Sequence, residues 1–324
     1  MKITRLLFTG LLIFAPLSAM ANLLQWSLEF PKTKFSLTSV TLSDIRSVGA
    51  RRDSIPTIFN PKFIRAKSIS NLGQLEPIVR VKVKGEVRGY PLRILVWHEL
   101  VNDVIKGVPV LISYCPLSSS SVVFDRRLKN KTLSFANTGL LRHYDTIIYD
   151  TSTESWFQLY TGDAIVGSLT GKRLKPIASR IQSFGQFKAA FPEAKVLVPN
   201  NPKAQNYGHT PYVRLDSRND TASQFPYLIP GGVGPLDRVV IMGNEAWPLK
   251  KLKEVRRIEA PGLVISWSPG MNSVQDTRWI PFGRDIGNVR VQYKSAKGWI
   301  DAVHNTIFAF SFAAFHPNGI WHFE

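Results

Sequence analysis

Cysteine is nearly absent from the sequence: Cys115 is the only one among 324 residues. It cannot form a disulfide within the chain, and a two-cysteine metal clamp is excluded for the same reason. Exported proteins usually contain cysteines in pairs, so a single one indicates either a working thiol or the remnant of a lost pair. Methionine is also scarce, with Met242 and Met271 the only ones after residue 21, so a methionine-rich copper carrier is not expected.

Long hydrophobic runs are missing too, apart from Leu6 to Leu17 near the start. Basic residues precede this run, and Ala19-Met20-Ala21 follows it with the small-x-small pattern of signal peptidase sites. The run is shorter than the roughly 20 residues that span a bilayer, and Pro16 interrupts it. We therefore predict a signal peptide over residues 1–21, no transmembrane span after its cleavage, and a periplasmic or secreted protein.

Acidic residues are outnumbered, with 23 Asp and Glu against 41 Lys and Arg and a formal net charge of +18. Removal of Lys2 and Arg5 with the leader leaves +16. This excess points to anionic envelope components such as lipid headgroups or polysaccharide. We expect no nucleic acid partner, because the basic residues do not cluster with aromatic ones, and the alternation in Arg80-Val-Lys82-Val-Lys84 is typical of a solvated strand face.

Hydrophobic periodicity predicts mostly short strands. Ile78 to Lys84 and Val87 to Tyr90 flank a Gly85-Glu86 turn and predict a hairpin. Further strands are expected at Val108 to Tyr114, Val122 to Arg126, Thr132 to Ala136 and Thr146 to Asp150. A helical turn is predicted at Pro91 to Leu95 and a helix at Ser183 to Phe191, before Pro192. The pattern is that of an α+β, β-rich, mostly antiparallel fold with few short helices.

The second half of the sequence echoes the first. Three matches occur in the same order: Gly89-Tyr-Pro-Leu-Arg-Ile-Leu95 with Ala246-Trp-Pro-Leu-Lys-Lys-Leu252, Val110-Leu-Ile-Ser-Tyr-Cys-Pro116 with Leu263-Val-Ile-Ser-Trp-Ser-Pro269, and Phe187-Lys-Ala-Ala-Phe-Pro192 with Phe312-Ala-Ala-Phe-His-Pro317. We interpret them as an internal duplication that gives two related β halves, with chance similarity of aromatic-proline segments as the alternative. The predicted organisation is a signal peptide (1–21), an N-terminal extension (22–54), a first half (55–199), a linker (200–236) and a degenerate second half (237–324).

Several short motifs of the first half occur together. They are Ile55-Pro56, Asn60-Pro-Lys-Phe63, Tyr90-Pro-Leu-Arg-Ile-Leu95, Trp97-His-Glu99, Val101-Asn-Asp103, Tyr114-Cys-Pro-Leu117, Val123-Phe-Asp-Arg126, Gly139-Leu-Leu141, Tyr149-Asp150 and Glu154-Ser-Trp156 with Gln158. With them, residues from about Ile55 to Val198 resemble the bacterial domain of unknown function family 3179 (DUF3179), and the likeness extends more weakly through Asn206-Tyr-Gly208 and Ala314-Phe-His-Pro317. Family members often continue the cysteine motif as Cys-Pro-Leu-Cys, whereas this chain has Ser118 at the last position. Disulfide exchange needs the second sulfur, so this chain cannot complete that cycle alone.

The candidate catalytic residues are Cys115, His98 and Glu99. An imidazole can deprotonate a thiol or bind a metal, and a carboxylate can orient the imidazole. His98 and Cys115 together would form a metal site for which a soft transition metal such as copper is the natural guest. Adjacent residues of one strand point to opposite faces, so His98 and Glu99 could share a site only at a strand end or turn. The alternative is a His98 bonded to backbone and a Cys115 that acts as a small buried hydrophobe.

A second polar and aromatic group predicts a ligand-binding rim. Its members are Tyr114, Ser118, Tyr149, Asp150, Glu154 and Trp156. Asp150 could instead stabilise a turn through side-chain to backbone bonds. His143, near Asp145 in a polar turn, is interpreted as a surface residue.

Three classes of function remain open from the sequence. They are a metal-binding or thiol-dependent periplasmic protein, a non-catalytic envelope ligand-binding module and an envelope enzyme with a cysteine nucleophile. The sequence contains no nucleotide-binding glycine loop, no zinc-protease helix and no Gly-x-Ser-x-Gly elbow.

Overall fold

The computed structural model of the protein describes residues 17–47, 49–217 and 225–323. Most of the predicted signal peptide, residues 1–16, and part of the predicted linker, residues 218–224, lie outside the described residues. None of the helices in the described ranges combines the length and hydropathy that a membrane crossing requires.

The fold is β-rich, with five sheets in a propeller-like arrangement and short helices between them. The helices are α1 Leu17–Glu29, α2 Leu92–His98, α3 Phe184–Ala190, α4 Leu249–Val255 and α5 Ala309–Phe315. The predicted β-rich, mostly antiparallel class with few helices is therefore confirmed.

Three sheets are built from residues before position 199. Sheet 1 has the order β1-β10-β11-β12-β13, with β1 Ile45–Ser47, β10 Phe135–Arg142, β11 Asp145–Asp150, β12 Trp156–Gln158 and β13 Ala164–Val166. Sheet 2 has the order β14-β7-β6-β5, with β5 Leu100–Ile105, β6 Val108–Ser113, β7 Val123–Asp125 and β14 Lys175–Ile177. Sheet 3 has the order β15-β3-β4-β16-β2, with β2 Lys62–Arg65, β3 Pro77–Val83, β4 Glu86–Pro91, β15 Ser179–Ser183 and β16 Lys195–Val198. A small hairpin adds β8 Arg127–Leu128 and β9 Lys131–Thr132.

Two further sheets are built from residues after position 237. Sheet 4 has the order β23-β17-β18-β24, with β17 Arg238–Met242, β18 Glu245–Pro248, β23 Asn305–Phe308 and β24 Ile320–Trp321. Sheet 5 has the order β19-β20-β21-β22, with β19 Arg257–Ala260, β20 Leu263–Ser268, β21 Asn288–Ser295 and β22 Gly298–Asp301.

Sheets 3 and 4 share a strand pattern. In sheet 3, the hairpin β3–β4 is followed by helix α2, and β15, which pairs with β3, leads into α3. In sheet 4, the hairpin β17–β18 is followed by helix α4, and β23, which pairs with β17, leads into α5. The last strand of each pattern, β16 or β24, returns parallel to the second strand of the hairpin. Sheets 2 and 5 also both begin with an antiparallel ladder of three consecutive strands, β5-β6-β7 and β19-β20-β21.

The strand predicted at Thr132 to Ala136 is the one whose position differs most from the structure. β10 begins only at Phe135 and continues to Arg142, through Asn137-Thr138-Gly139, which has the composition of a turn. The register shifts between Asn137 and Leu140, so this segment is a bulge within a strand. Gly139 has φ +76°, and a Cβ there would lie 2.6 Å from the backbone oxygen of Ala50.

The N-terminal extension packs onto sheet 1. Trp26, Phe30 and Phe35 surround the buried Trp156 with ring-centroid distances of 5.4, 5.2 and 5.2 Å, all edge-on. β1 of the extension pairs antiparallel with β10. The extension therefore completes the hydrophobic core on one side of this sheet.

Candidate functional site

His98 and Glu99 lie at the end of α2. His98 is the last residue of the helix, and Glu99 caps it in the left-handed region with φ 56°. Both ring nitrogens of His98 are engaged: Nδ1 lies 2.6 Å from the Pro56 carbonyl oxygen and Nε2 lies 2.7 Å from the Tyr207 hydroxyl. Burial lowers the pKa of His98. The two residues thus lie at a turn, which would allow them to share a site. They nevertheless bond to different groups, His98 to Pro56 and Tyr207 and Glu99 to Thr146.

Cys115 is fully buried beside Thr146. The Thr146 hydroxyl lies 3.4 Å from the Cys115 Sγ, and the thiol points to the Tyr144 carbonyl oxygen at 3.8 Å. The side chain belongs to an apolar cluster that includes Leu100 and Leu111. Burial, reinforced by nearby acidic groups, raises the pKa of Cys115 to about 12. The thiol is therefore protonated at neutral pH, and its hydrogen-bond partners are not those of His98.

The structure does bring Glu99 and Cys115 together, because both contact Thr146. The Thr146 hydroxyl donates to Glu99 Oε2 at 3.0 Å. Burial, with a smaller contribution from the Asp145 carboxyl, raises the pKa of Glu99 to about 8. We call Glu99, Cys115, Asp145 and Thr146 the buried acid cluster. Its two carboxyl groups have no basic side chain within salt-bridge distance among the described residues.

Asp145 and Thr146 are the members of this cluster that the sequence did not predict. Asp145 is the ionisable one. Its side chain is completely buried and accepts hydrogen bonds from the Ser118 and Ser120 hydroxyls at 2.7 and 2.9 Å. Gln158 Nε2 and the Tyr160 backbone N–H donate to its other oxygen at 2.7 and 2.9 Å. Burial raises the pKa of Asp145. The polar turn expected near Asp145 is present at residues 143 and 144, where His143 is half-buried, and the Asp145 side chain that follows it lies in the interior.

The structure places no three histidine, cysteine, aspartate or glutamate side chains of the described ranges where they could jointly hold a metal ion. The buried acid cluster offers two carboxyl groups and a protonated thiol, and the imidazole of His98 is bonded elsewhere.

The predicted ligand-binding rim is spread over several structural roles. Asp150 accepts from the backbone N–H groups of residues 152, 153 and 155 at 3.1, 2.9 and 3.1 Å, which are bonds within a turn. Glu154 pairs with Arg52 of the N-terminal extension at 3.0 Å, and the Tyr149 hydroxyl donates to Asp53 at 2.7 Å. Trp156, Tyr114 and Ser118 are all buried. These side chains bind other parts of the chain and do not line one open cleft.

A different set of residues forms an open, charged groove between sheets 3 and 5, where β15 lies against β21. The groove has a volume of about 330 Å³. Its principal lining side chains are Arg80 and Lys82 of β3, Ser179 of β15, Arg290 of β21, and Trp299 and Asp301 of β22. We call this feature the basic groove. Its residues come from both halves of the sequence.

One carboxylate serves two of the arginines in the basic groove. Asp301 Oδ2 lies 2.6 Å from Arg80 and its Oδ1 lies 2.7 Å from Arg290. Burial alone would raise the pKa of Asp301, but the hydrogen bonds from Arg290 and Arg80 outweigh it and lower the pKa. Asp301 thus stays charged and holds both guanidinium groups in place.

The basic side chains of the groove outnumber this single carboxylate. Arg180 lies directly opposite Arg80 on the neighbouring strand, a cross-strand pair of like charges that is destabilising. Burial, together with repulsion from Arg80 and Arg290, lowers the pKa of Arg180 to about 10. Arg80 Nε is buried and has no hydrogen-bond partner in the described structure. The groove and the residues beside it therefore hold more positive than negative charge.

Part of this groove could be expected from the sequence. The alternation of Arg80 and Lys82 predicted a strand with one solvated face. Lys82 is indeed exposed, but most of the Arg80 side chain is buried. The other groove residues lie far along the chain, and no local pattern connects Arg180 or Asp301 with β3.

Comparisons with known proteins identify a family and no characterised relative. Neither a search of curated proteins nor a search of solved structures found a significant match. The family model described as protein of unknown function (DUF3179) matches residues 52–319. This match covers most of the chain, and it confirms the resemblance seen in the motifs. The chain therefore belongs to the DUF3179 family.

Proposed function

We propose that the protein is a non-catalytic ligand-binding module of the cell envelope that holds an anionic ligand in the basic groove. The observation that carries this proposal is the imbalance of charge: Arg80, Lys82 and Arg290 line the groove, and Asp301 is the one carboxylate among the lining side chains. Arg180 adds a further positive charge opposite Arg80 on the neighbouring strand. Guanidinium groups bind phosphate and carboxylate in planar, often bidentate geometry, so an anion of this kind is the natural occupant.

The pair of like charges formed by Arg80 and Arg180 supports a binding role. Like charges placed directly across two strands reduce stability, and proteins commonly tolerate such a cost where function requires it. Arg180 donates to Gln182 at 2.6 Å and makes no ion pair with any carboxylate in the described ranges. An anion would relieve the repulsion between Arg180 and Arg80, so binding and stability are coupled.

The alternatives that depend on Cys115 receive less support. A nucleophilic cysteine needs a thiolate and access to substrate, whereas burial raises the pKa of Cys115 to about 12 and leaves its side chain without exposed surface. A copper site at His98 and Cys115 would require the His98 ring to give up its bonds to Pro56 and Tyr207.

Titration with pyrophosphate by calorimetry at low ionic strength tests the proposal. We expect saturable binding by the unmodified protein and at least about a tenfold loss in the double variant Lys82→Gln/Arg180→Gln, since a hydrogen bond to a charged group contributes about 1.5–3 kcal/mol. Neither residue forms a described ion pair, so the variant should fold. Without ligand, Arg180→Gln should raise the melting temperature, because it removes the repulsion from Arg80.

A matched control removes the same amount of charge elsewhere. Lys34 and Lys131 are exposed and lie outside the groove, so Lys34→Gln/Lys131→Gln should bind pyrophosphate like the unmodified protein. Equal weakening in both double variants would show that only net charge matters, and it would overturn the assignment of the groove.

The envelope location is also part of the proposal. It rests on the predicted signal peptide over residues 1–21 and on the net charge of +18, which suits anionic surroundings. Cell fractionation and mass spectrometry of the recovered protein should find it outside the cytoplasm with Asn22 at its N-terminus. Recovery from the cytoplasm with residues 1–21 intact would contradict this part.

We further propose that the two halves descend from one duplicated unit. The matching sequence segments and the shared strand pattern of sheets 3 and 4 support this origin. In this view the second half has lost the counterpart of sheet 1 and retains two sheets where the first half has three.

A further inference from the structure

The basic groove has an apolar wall as well as a charged one. Trp299 and Ile300 of β22 line it beside Asp301, and the Trp299 side chain is 47% exposed. An indole ring left in solvent next to a binding groove presents a flat apolar surface on which the C–H face of a ring can stack. Ser179 adds a hydroxyl that can donate or accept a hydrogen bond. Charge, a flat surface and a hydroxyl converge in one concavity.

The groove is also larger than a simple inorganic anion needs. Its volume of about 330 Å³ lies at the lower end of the range of about 300–1,000 Å³ that is typical of small-molecule sites. Water occupies about 30 Å³ per molecule in the liquid, so a bare phosphate would leave most of this space to solvent. A ligand with a ring attached to its anionic group would fill it.

The depth of the charged groups argues against a membrane surface as the occupant. Lipid headgroups attract basic side chains that project from a protein. The Arg80 side chain is only 11% exposed, and the Asp301 side chain that pairs with it is 20% exposed. Only a ligand that enters the groove can reach the Arg80 guanidinium group.

We infer that the ligand of the basic groove is a sugar that carries a phosphate or carboxylate group. This inference rests on the proposed function and names its ligand class. The anionic group lies against Arg80, Lys82 and Arg290, and the sugar ring stacks on Trp299. A charged envelope polysaccharide or one of its building blocks has this chemistry.

Calorimetric titrations with glucose 6-phosphate, glucuronate, glucose and inorganic phosphate separate the contributions of ring and charge. We expect glucose 6-phosphate or glucuronate to bind at least tenfold more tightly than inorganic phosphate, and glucose alone to bind more weakly than either charged sugar. Trp299→Ala should remove the advantage of the charged sugar over phosphate, and Trp299→Phe should retain most of it. Trp279→Ala changes an exposed tryptophan outside the groove and should have no effect.

The outcomes distinguish this inference from the proposed function. Binding of phosphate that Lys82→Gln/Arg180→Gln abolishes would support the anion site. If, in addition, neither charged sugar binds more tightly than phosphate and Trp299→Ala has no effect, the sugar assignment is wrong while the anion site stands. Absence of binding for all four compounds and for pyrophosphate removes both. Binding to vesicles of anionic lipid that is lost in Trp299→Ala, without binding of the charged sugars, would assign the groove to a membrane and overturn the inference.

Discussion

Glu99 is a buried carboxyl group whose surroundings favour its neutral form. It accepts a hydrogen bond from Thr146 at 3.0 Å, and burial followed by the nearby Asp145 raises its pKa to about 8. A protonated carboxyl group can remain in an apolar interior without a cationic partner, whereas its ionised form would carry a large desolvation cost. The cluster is therefore held together at neutral pH by protons on Glu99 and Cys115.

This property makes stability depend on pH in a defined direction. A carboxyl group whose folded pKa is raised above 4.5 binds more protons in the folded state, so its contribution is complete below that pH and is lost as pH rises toward about 8. One pKa unit corresponds to about 1.4 kcal/mol, so we expect the free energy of unfolding to fall by at least that amount between pH 5 and pH 9. Urea unfolding followed by tryptophan fluorescence at several pH values would measure it.

The variant Glu99→Gln isolates the contribution of this residue. The amide oxygen can still accept from Thr146 but does not titrate, so the variant should lose less stability than the unmodified protein as pH rises. The exposed Glu254 provides a control, because Glu254→Gln should leave the pH dependence unchanged. A Glu99→Gln profile parallel to that of the unmodified protein would contradict the assignment of a raised pKa to Glu99.

At the scale of the elements, the turn after α2 recurs after α4 with a different side chain. Arg256 caps α4 with φ 66° and occupies the place of Glu99. In each turn the carbonyl oxygen of the capping residue accepts at 2.9 Å from a backbone N–H of a later aromatic residue, Tyr114 or Trp267. The Arg256 guanidinium lies 4.4 Å from the Trp267 ring centroid. The backbone geometry of this turn is thus independent of the acidic side chain, and the buried acid cluster belongs to the first half alone.

Local patterns in the sequence were sufficient for elements that depend on neighbouring residues. Alternation and Gly85 predicted the hairpin that became β3 and β4, and the residues around Pro192 predicted the helix that became α3, which Ser183 caps through its hydroxyl. The bulge at Gly139 was missed because the segment has the composition of a turn. A glycine is required there by its positive φ and by the close approach of the Ala50 backbone.

The candidate sites were harder to predict because they combine residues that lie far apart in the chain. Cys115, His98 and Glu99 were predicted as one site. The structure joins Glu99 and Cys115 through Thr146, which no motif had singled out, whereas His98 bonds to Pro56 and Tyr207. Arg80 and Asp301 are separated by 221 positions, and their contact depends on how sheets 3 and 5 pack against each other. Sequence periodicity contains no information about that packing.

At the scale of the whole molecule, the basic groove lies where sheets 3 and 5 meet. The ion pair between Arg80 and Asp301 connects β3 to β22, and β15 packs against β21 beside it. A ligand that bridges Arg80 and Arg290 would strengthen the same contact. Binding in the groove should therefore stabilise the contact between sheets 3 and 5 against unfolding, by an amount that grows with ligand concentration.

Because the only thiol is buried, its chemical modification can report how often the surrounding structure opens. A thiol-reactive dye such as Ellman's reagent can modify Cys115 only when the apolar cluster around it exposes the sulfur, so the labelling rate reports that opening event. We expect labelling orders of magnitude slower than that of a small free thiol, full reaction in denaturant and none in Cys115→Ala. Prompt reaction of the native protein would mean that the sulfur is accessible. Because the chain has no other cysteine to react with the reagent, the rate of the absorbance change measures the frequency of this opening alone.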